Sequence, residues 1–396
     1  MKKIVYITHR GVVSELDLVP LIGENNCPSV REFLNDANRE DTHSYFRTEE
    51  GFEIKIINSW DIFNNDSFLK MDVDGYDVVF VDISNDPPQQ LPFDIRKFLN
   101  SLTKIQNIPV YLLAWNTEYN YNMNDEVLNP EIISIVSNNT NIKIVDGLYF
   151  QEDTINSLLL PLMYMCRHTS DYALTYMGAK EYFQIVNKPY RFGFNPGRLT
   201  NIRKKFLHKL IDSDIINHYK FHFSHNSYSN IDVSDIPDNI IKNNVTRSFL
   251  PIKNKRVSHL YMQNESIFNA HLLSDVIIYN DSYASRPLNE ILFTEKTFQM
   301  LMLGKPIIPL DKNIYLAIKK MGFNIVSDID ERIYDEFEYE NRFNYLISFI
   351  KEKLNMSETE YLIWKEEQYK IAKANSDRLE TIYKDGLLKE LNIYKQ

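Results

Sequence analysis

Apolar positions along the first half of the chain gather into short continuous runs separated by longer, helically spaced segments. Residues 4–8 and 53–57 are short β-rich runs, and 76–83 reads YDVVFVDI. Residues 109–114 read PVYLLA, and 142–145 form a further apolar stretch. Runs this continuous suit strands buried on both faces of a parallel sheet. Between them, Ile95, Phe98, Leu99 and Leu102 recur at i, i+3, i+4 and i+7, the spacing of one helix face. Strands alternating with helices predict a parallel α/β sheet of Rossmann type.

Residues 151–188, including LLLPLMYM, read as mostly helical. The strand signal returns at 189–194. A loop, Asn195-Pro196-Gly197, leads into a helix over 199–210 with Ile202, Phe206 and Leu210 on its apolar face. Residues 219–223 and 275–279 (DVIIY) read as strands, with a polar loop over 280–290. A helix over 294–303 ends at Gly304, because glycine accepts the left-handed C-terminal conformation cheaply. A strand over 305–310, a helix over 313–321 closed by Gly322 and a strand over 323–326 follow. From about residue 335 the chain is helical. At 396 residues, the pattern predicts an N-terminal Rossmann-like domain over 1–175, a second over 176–345 and a helical tail over 346–396.

Composition narrows the class. A net charge of −10 argues against a broad nonspecific nucleic-acid surface, though not against a local basic groove; Arg247, Lys253, Lys255 and Arg256 form one modest basic patch. The two cysteines, Cys27 and Cys166, stand outside any CxxC or Cys/His cluster, which points to a reducing cytoplasm and away from disulfides or structural zinc. The apolar run after the opening lysines is too short for a signal peptide, and no membrane span is expected.

The segment FTEKTFQMLMLGKPIIPLD, residues 293–311, holds the most concentrated chemistry. It puts Thr294, Glu295 and Lys296 at the start of a helix beside the C-terminal edge of a parallel sheet, where ligands of open α/β sheets bind. Free N–H groups there attract phosphate, a lysine adds a point charge, and a carboxylate can accept from a ribose diol. Equally, Glu295 could simply oppose the helix dipole while Lys296 is solvated. In RFGFNPGRLTNIRKK, residues 191–205, Gly197, Arg198 and Arg203 follow a strand and open a helix; they suit a diphosphate, or else a solvated basic face continuing through Lys204 and Lys205.

The TEKT-helix-Gly-Lys-Pro stretch, with IKKMGFN and SDIDERIYDEFEYENRF downstream, resembles the donor-site segment of GT-B glycosyltransferases, in particular fucosyltransferase-type and phage-encoded members. The match covers about residues 275–343. In that family an acidic residue often precedes the helix, and Asp281 or Glu290 could stand there. The layout of residues 191–205 is similar to the start of the donor domain in phage β-glucosyltransferases. The resemblance implies two Rossmann-like domains facing a cleft and a UDP- or GDP-sugar donor held by Gly197, Arg198, Arg203, Thr294, Glu295 and Lys296. It also implies no catalytic metal and no cofactor beyond that donor.

An inverting transfer needs a general base near a strand's C-terminal edge. Glu118, after PVYLLAW, fits with a shift of about two residues from the aspartate of phage β-glucosyltransferases; Asp82 and Asp86 are the alternatives, and His9 could face the same cleft. The implied acceptor is a hydroxymethylated base in phage DNA, in the host cytoplasm, with a surface or lipid-linked glycan as the other candidate. A non-catalytic nucleotide-binding module would keep Lys296 and Arg198 without needing Glu118. The strings Asp72–Asp74 and Asp328–Asp330 match a bare DxD, and His222, His225 and Asn226 cluster without an acidic partner, so neither predicts a metal site.

Overall fold

The computed structural model describes residues 2–8, 21, 23, 43–47, 52–58, 73, 75–82, 102–114, 134, 136–146, 148–150, 157–159, 189–194, 201–223, 273–280, 290–292, 295–335 and 337–393. The chain is α/β and falls into two compact units. One comprises residues 1–170 with 381–396, and the other residues 171–380.

The first unit contains β1 (Lys2–Thr8), β2 (His43–Arg47), β3 (Phe52–Asn58), β4 (Val78–Asp82), β5 (Val110–Ala114), β6 (Ile142–Asp146), β7 (Leu148–Phe150) and β8 (Ser157–Leu159). Seven of these form one sheet in the order β2-β3-β1-β4-β5-β6-β8. All its neighbours are parallel except β2, an antiparallel edge. Consecutive residues of β1, β4 and β5 are buried, as apolar runs covered on both faces require. The chain steps from β1 to β3 on one side and then to β4 on the other. The topological switch point of this sheet therefore lies between the C-terminal ends of β1 and β4.

The second unit contains β9 (Tyr190–Phe194), α1 (Asn201–Asp212), β10 (Phe221–Phe223), β11 (Ser274–Tyr279), β12 (Glu290–Leu292), α2 (Glu295–Met302), β13 (Ile307–Pro309), α3 (Lys312–Lys320), α4 (Arg332–Asp335), α5 (Tyr339–Asn355) and α6 (Glu358–Glu390), whose last residues pass into the first unit. Its four-stranded parallel sheet has the order β10-β9-β11-β13. Counted along the unit this is 2-1-3-4, a doubly wound order whose switch point lies between β9 and β11. The core brings Phe194 against Phe206 edge-on at 5.5 Å, and Phe206 against Phe343 at 5.1 Å, so α1 and α5 share one aromatic seam.

Helix ends follow local chemistry. Gly304 (φ +62°) and Gly322 (φ +82°) close α2 and α3. In each case the next amide reaches back across the last turn, Lys305 N–H to the Met300 carbonyl and Phe323 N–H to that of Ile318, satisfying carbonyls the helix would leave open. Ser357 and Glu360 form a reciprocal capping box at the start of α6, each bonding the other's backbone N–H.

Three expectations change. Residues 157–159 are a strand paired with β6, not part of a helix; a short apolar run is ambiguous by periodicity, and Pro161 follows it closely. Residues 323–326 form no strand. Asn324 N–H is taken by the Asn375 side chain and Ser327 N–H by Gln368, so α6 side chains hold this backbone on either side of the 3.3 Å bond from Val326 N–H to the Ile307 carbonyl of β13, and no ladder forms. Within the loop expected over 280–290, Glu290 already belongs to β12.

Candidate functional site

At the C-terminal edge of the second sheet the register sets Phe223 beside Phe194 and Phe194 beside Ile278, with Tyr279 and Pro309 paired one residue further on. Three residues then tie the edge together around the switch point. Arg203, in the first turn of α1, is 3% exposed and donates to the backbone carbonyl of Asn280, the residue just beyond β11. Its side chain thus faces the sheet and leaves the solvated face to Lys204 and Lys205. Tyr279, the last residue of β11, shares a buried 3.1 Å hydrogen bond with Thr297 Oγ1 in the first turn of α2. The N-terminus of α2, with the backbone of Glu295 and Lys296, is therefore anchored beside the end of β11.

Asn280 completes the arrangement. It is 4% exposed, and neither Oδ1 nor Nδ2 has a hydrogen-bond partner among the described residues. Sequence reasoning passed over it as the first residue of a polar loop. The available signal was its position, immediately after a fully buried strand and at the edge where open α/β sheets in general take their ligands. On the β13 side, Asp311 caps α3 through Asn313 N–H (2.8 Å) and accepts from the Tyr339 hydroxyl. Burial, then Asp311, raises the Tyr339 pKa, so it remains a neutral donor. Arg342, buried beneath it, donates to the Leu310, Ile333 and Phe337 carbonyls.

The opposite edge of this sheet is closed. Asp275, 2% exposed near the start of β11, accepts from the Tyr361 hydroxyl (3.1 Å) and pairs with Lys365 (2.9 Å). Arg191 lies 4.1 Å over the Tyr361 ring and donates to the Lys353 and Met356 carbonyls. Lys305 of the GKP segment, in the connection from α2 to β13, reaches the Ser274 carbonyl at 3.0 Å, at this closed edge. Glu295 thus opens α2 at the C-terminal edge of the sheet, whereas Lys305 follows the far end of that helix.

Arg203, Glu295 and Lys296 are accordingly drawn to one sheet edge, although the side chains of Glu295 and Lys296 are outside the description. Gly197, Arg198, Thr294, Glu118 and Asp86 all lie outside the described residues, as do His9, His225 and Asn226. The Asp328–Asp330 string is occupied by local partners: Asp328 with Trp364 and Lys353, Asp330 with Arg332. His222 packs against Tyr190 at 4.9 Å, and burial lowers its pKa to about 4, leaving it neutral. Among the described residues no group of His, Cys, Asp and Glu could hold a metal ion, and no helix is long and apolar enough to cross a membrane.

In the first unit, Asp82 ends β4 at the switch point, whereas the strand before Glu118, β5, lies one position further from it.

No model of a known protein family matches the chain, and no curated protein matches it in sequence.

Proposed function

We propose that the protein is a GT-B-type glycosyltransferase that moves a sugar from a UDP- or GDP-sugar to a hydroxyl acceptor. The observation that carries this reading is the second sheet's C-terminal edge. There a 2-1-3-4 order opens a crevice between β9 and β11, and α2 begins beside it through the Tyr279–Thr297 bond. The amide groups and dipole at the N-terminus of α2 suit a diphosphate. In this reading Lys296 and Arg198 neutralise that diphosphate, Glu295 accepts from the ribose, and Arg203 holds the β11 terminus in position. The first unit binds the acceptor, for which a hydroxymethylated base of phage DNA is the leading candidate. The strand order favours the loop after β4, with Asp86, over Glu118 as the source of the general base, because the switch point is the crevice of an open sheet.

The test is a product-mass assay with a panel of nucleotide sugars against hydroxymethylated DNA and against glycans. A mass gain of one sugar identifies the donor and acceptor together. Lys296→Ala and Glu295→Ala should each weaken donor binding by about 1.5–3 kcal/mol, the worth of a hydrogen bond to a charged group. Asp86→Asn should lower turnover roughly a hundred- to ten-thousand-fold without changing donor affinity. Undiminished donor affinity in both α2 variants would remove the donor site from this edge.

A further inference from the structure

We propose that Asn280 reads the nucleobase of the donor, a specificity role that rests on the donor-site reading above. Besides Arg203, whose guanidinium is bonded through Nη2, three residues in the second unit keep a buried side-chain atom without a hydrogen-bond partner among the described residues: His222, Ser274 and Asn280. Ser274 opens β11 at the closed edge of the sheet, and His222 lies within the outer strand β10. Asn280 alone of the three stands at the C-terminal edge beside the switch point, and it leaves a donor and an acceptor both unfilled. Buried polar groups in folded proteins are nearly always bonded, so a carboxamide kept dry and open is a binding group awaiting its complement.

The chemistry of that complement follows from the carboxamide. It presents N–H donors beside a carbonyl acceptor and carries no charge. A diphosphate offers acceptors only; it would satisfy Nδ2 while setting an anion against Oδ1. A nucleobase edge offers a donor next to an acceptor, and a carboxamide can meet both at once, as asparagine does with adenine. The backbone is preorganised for the task. Arg203 holds the Asn280 carbonyl, and Tyr279, the residue before it, is tied to Thr297, so the side chain projects from a fixed point.

The experiment is calorimetry on the full chain with UDP, GDP, CDP, ADP and inorganic pyrophosphate, for the wild type, Asn280→Leu and Asn280→Ala. Wild type should favour one base at least about tenfold. Asn280→Leu, similar in size and apolar, should lose about ten- to a hundredfold in affinity for that nucleotide, as expected for two neutral hydrogen bonds. The preference among bases should collapse and pyrophosphate affinity should persist. Without nucleotide, Asn280→Leu should melt no lower than wild type, because it removes two unsatisfied groups. A side chain with a purely structural role would lower the melting temperature and leave base preference intact, and that result overturns the proposal. So does equal binding of all four nucleotides by wild type. If Asn280→Leu does not fold, Asn280→Ala supplies the same comparison. If wild type binds no nucleoside diphosphate, the donor-site reading fails as well; if it binds with a base preference that both variants retain, only the role of Asn280 fails.

Discussion

His222 and Arg203 illustrate how burial rewrites the chemistry of a single side chain. His222, in the middle of a three-residue strand, predicts no metal site from sequence, and its surroundings keep it neutral. Its pKa is lowered by burial from 6.5 to about 4, so the unfolded chain binds a proton that the folded chain refuses between those values. Stability contributed by this site is complete above about pH 6.5 and is lost as pH falls toward 4. His222→Phe, which keeps a ring against Tyr190, should remove an acid-linked loss on the order of 3 kcal/mol, visible as a flatter denaturation midpoint between pH 6.5 and 4. An unchanged acid profile would assign the loss to other groups. Arg203 was legible as a candidate from its place after a strand and glycine-containing loop. Its target, a backbone carbonyl 77 residues further on, was not, because nothing local in the sequence encodes which helix face turns inward at the first turn. Asn280 was missed for a related reason: an asparagine after an apolar run resembles any loop opener until its burial is known.

At the scale of elements, the strands that sequence reasoning found are those with an intrinsic signature. Apart from Asp275, DVIIY and VYLLA are β-branched or apolar throughout and lie in the interiors of their sheets. Segment 323–326, FNIV, is largely apolar as well, yet Asn324 bonds through both its N–H and its carbonyl to the Asn375 side chain on a helix some fifty residues away, a partnership invisible in a local window. The glycine stops were legible and make a direct test. Gly304→Ala meets only ordinary contacts, 3.8 Å to the Ala372 carbonyl oxygen, so its cost is the left-handed backbone alone, about 1–2 kcal/mol by chemical denaturation. Gly322→Ala has the same backbone cost and also brings Cβ within 3.2 Å of Arg378, so it should be the more damaging of the two. The Asp275 cluster belongs to this scale too, since it fastens α6 to β11. Asp275→Ala strands Lys365, while the Tyr361 hydroxyl keeps the Arg191 carbonyl, and should cost about 3 kcal/mol, the lower end for breaking a buried pair because Lys365 keeps some access to water. A loss below about 1 kcal/mol would mean that the cluster is dispensable for the fold.

Across the whole molecule, the second sheet has two unlike edges. One is tied down by Arg191, Asp275, Tyr361 and Lys365; the other keeps both polar atoms of the Asn280 side chain without a partner among the described residues. Natural sheets tolerate unsatisfied groups where function requires them, and the contrast tells more about purpose than composition does. The alternation of apolar runs with helical segments made the α/β class readable, because it is a statistical property of the entire chain. Strand order was not readable, since it depends on which side of β1 or β9 each later strand joins.

The first unit is assembled from separated stretches of chain, and this has a consequence during synthesis. Gly23, at φ +84°, lies so close to the backbone of Lys384, Asp385 and Gly386 that a Cβ there would collide with it. Strands β1 to β8 leave the ribosome first, but the residues that Gly23 touches follow only after all of 171–380 has been translated. At about 5–20 residues per second, the early sheet waits roughly 10–40 s for them. Through that interval the surface around Leu21 and Gly23 has no cover from 381–396. Nascent chains stalled before residue 381 should therefore be cut by protease near Gly23, and chains released after residue 396 should resist. The vulnerable period of this protein is set by the order of its message as much as by the stability of its fold.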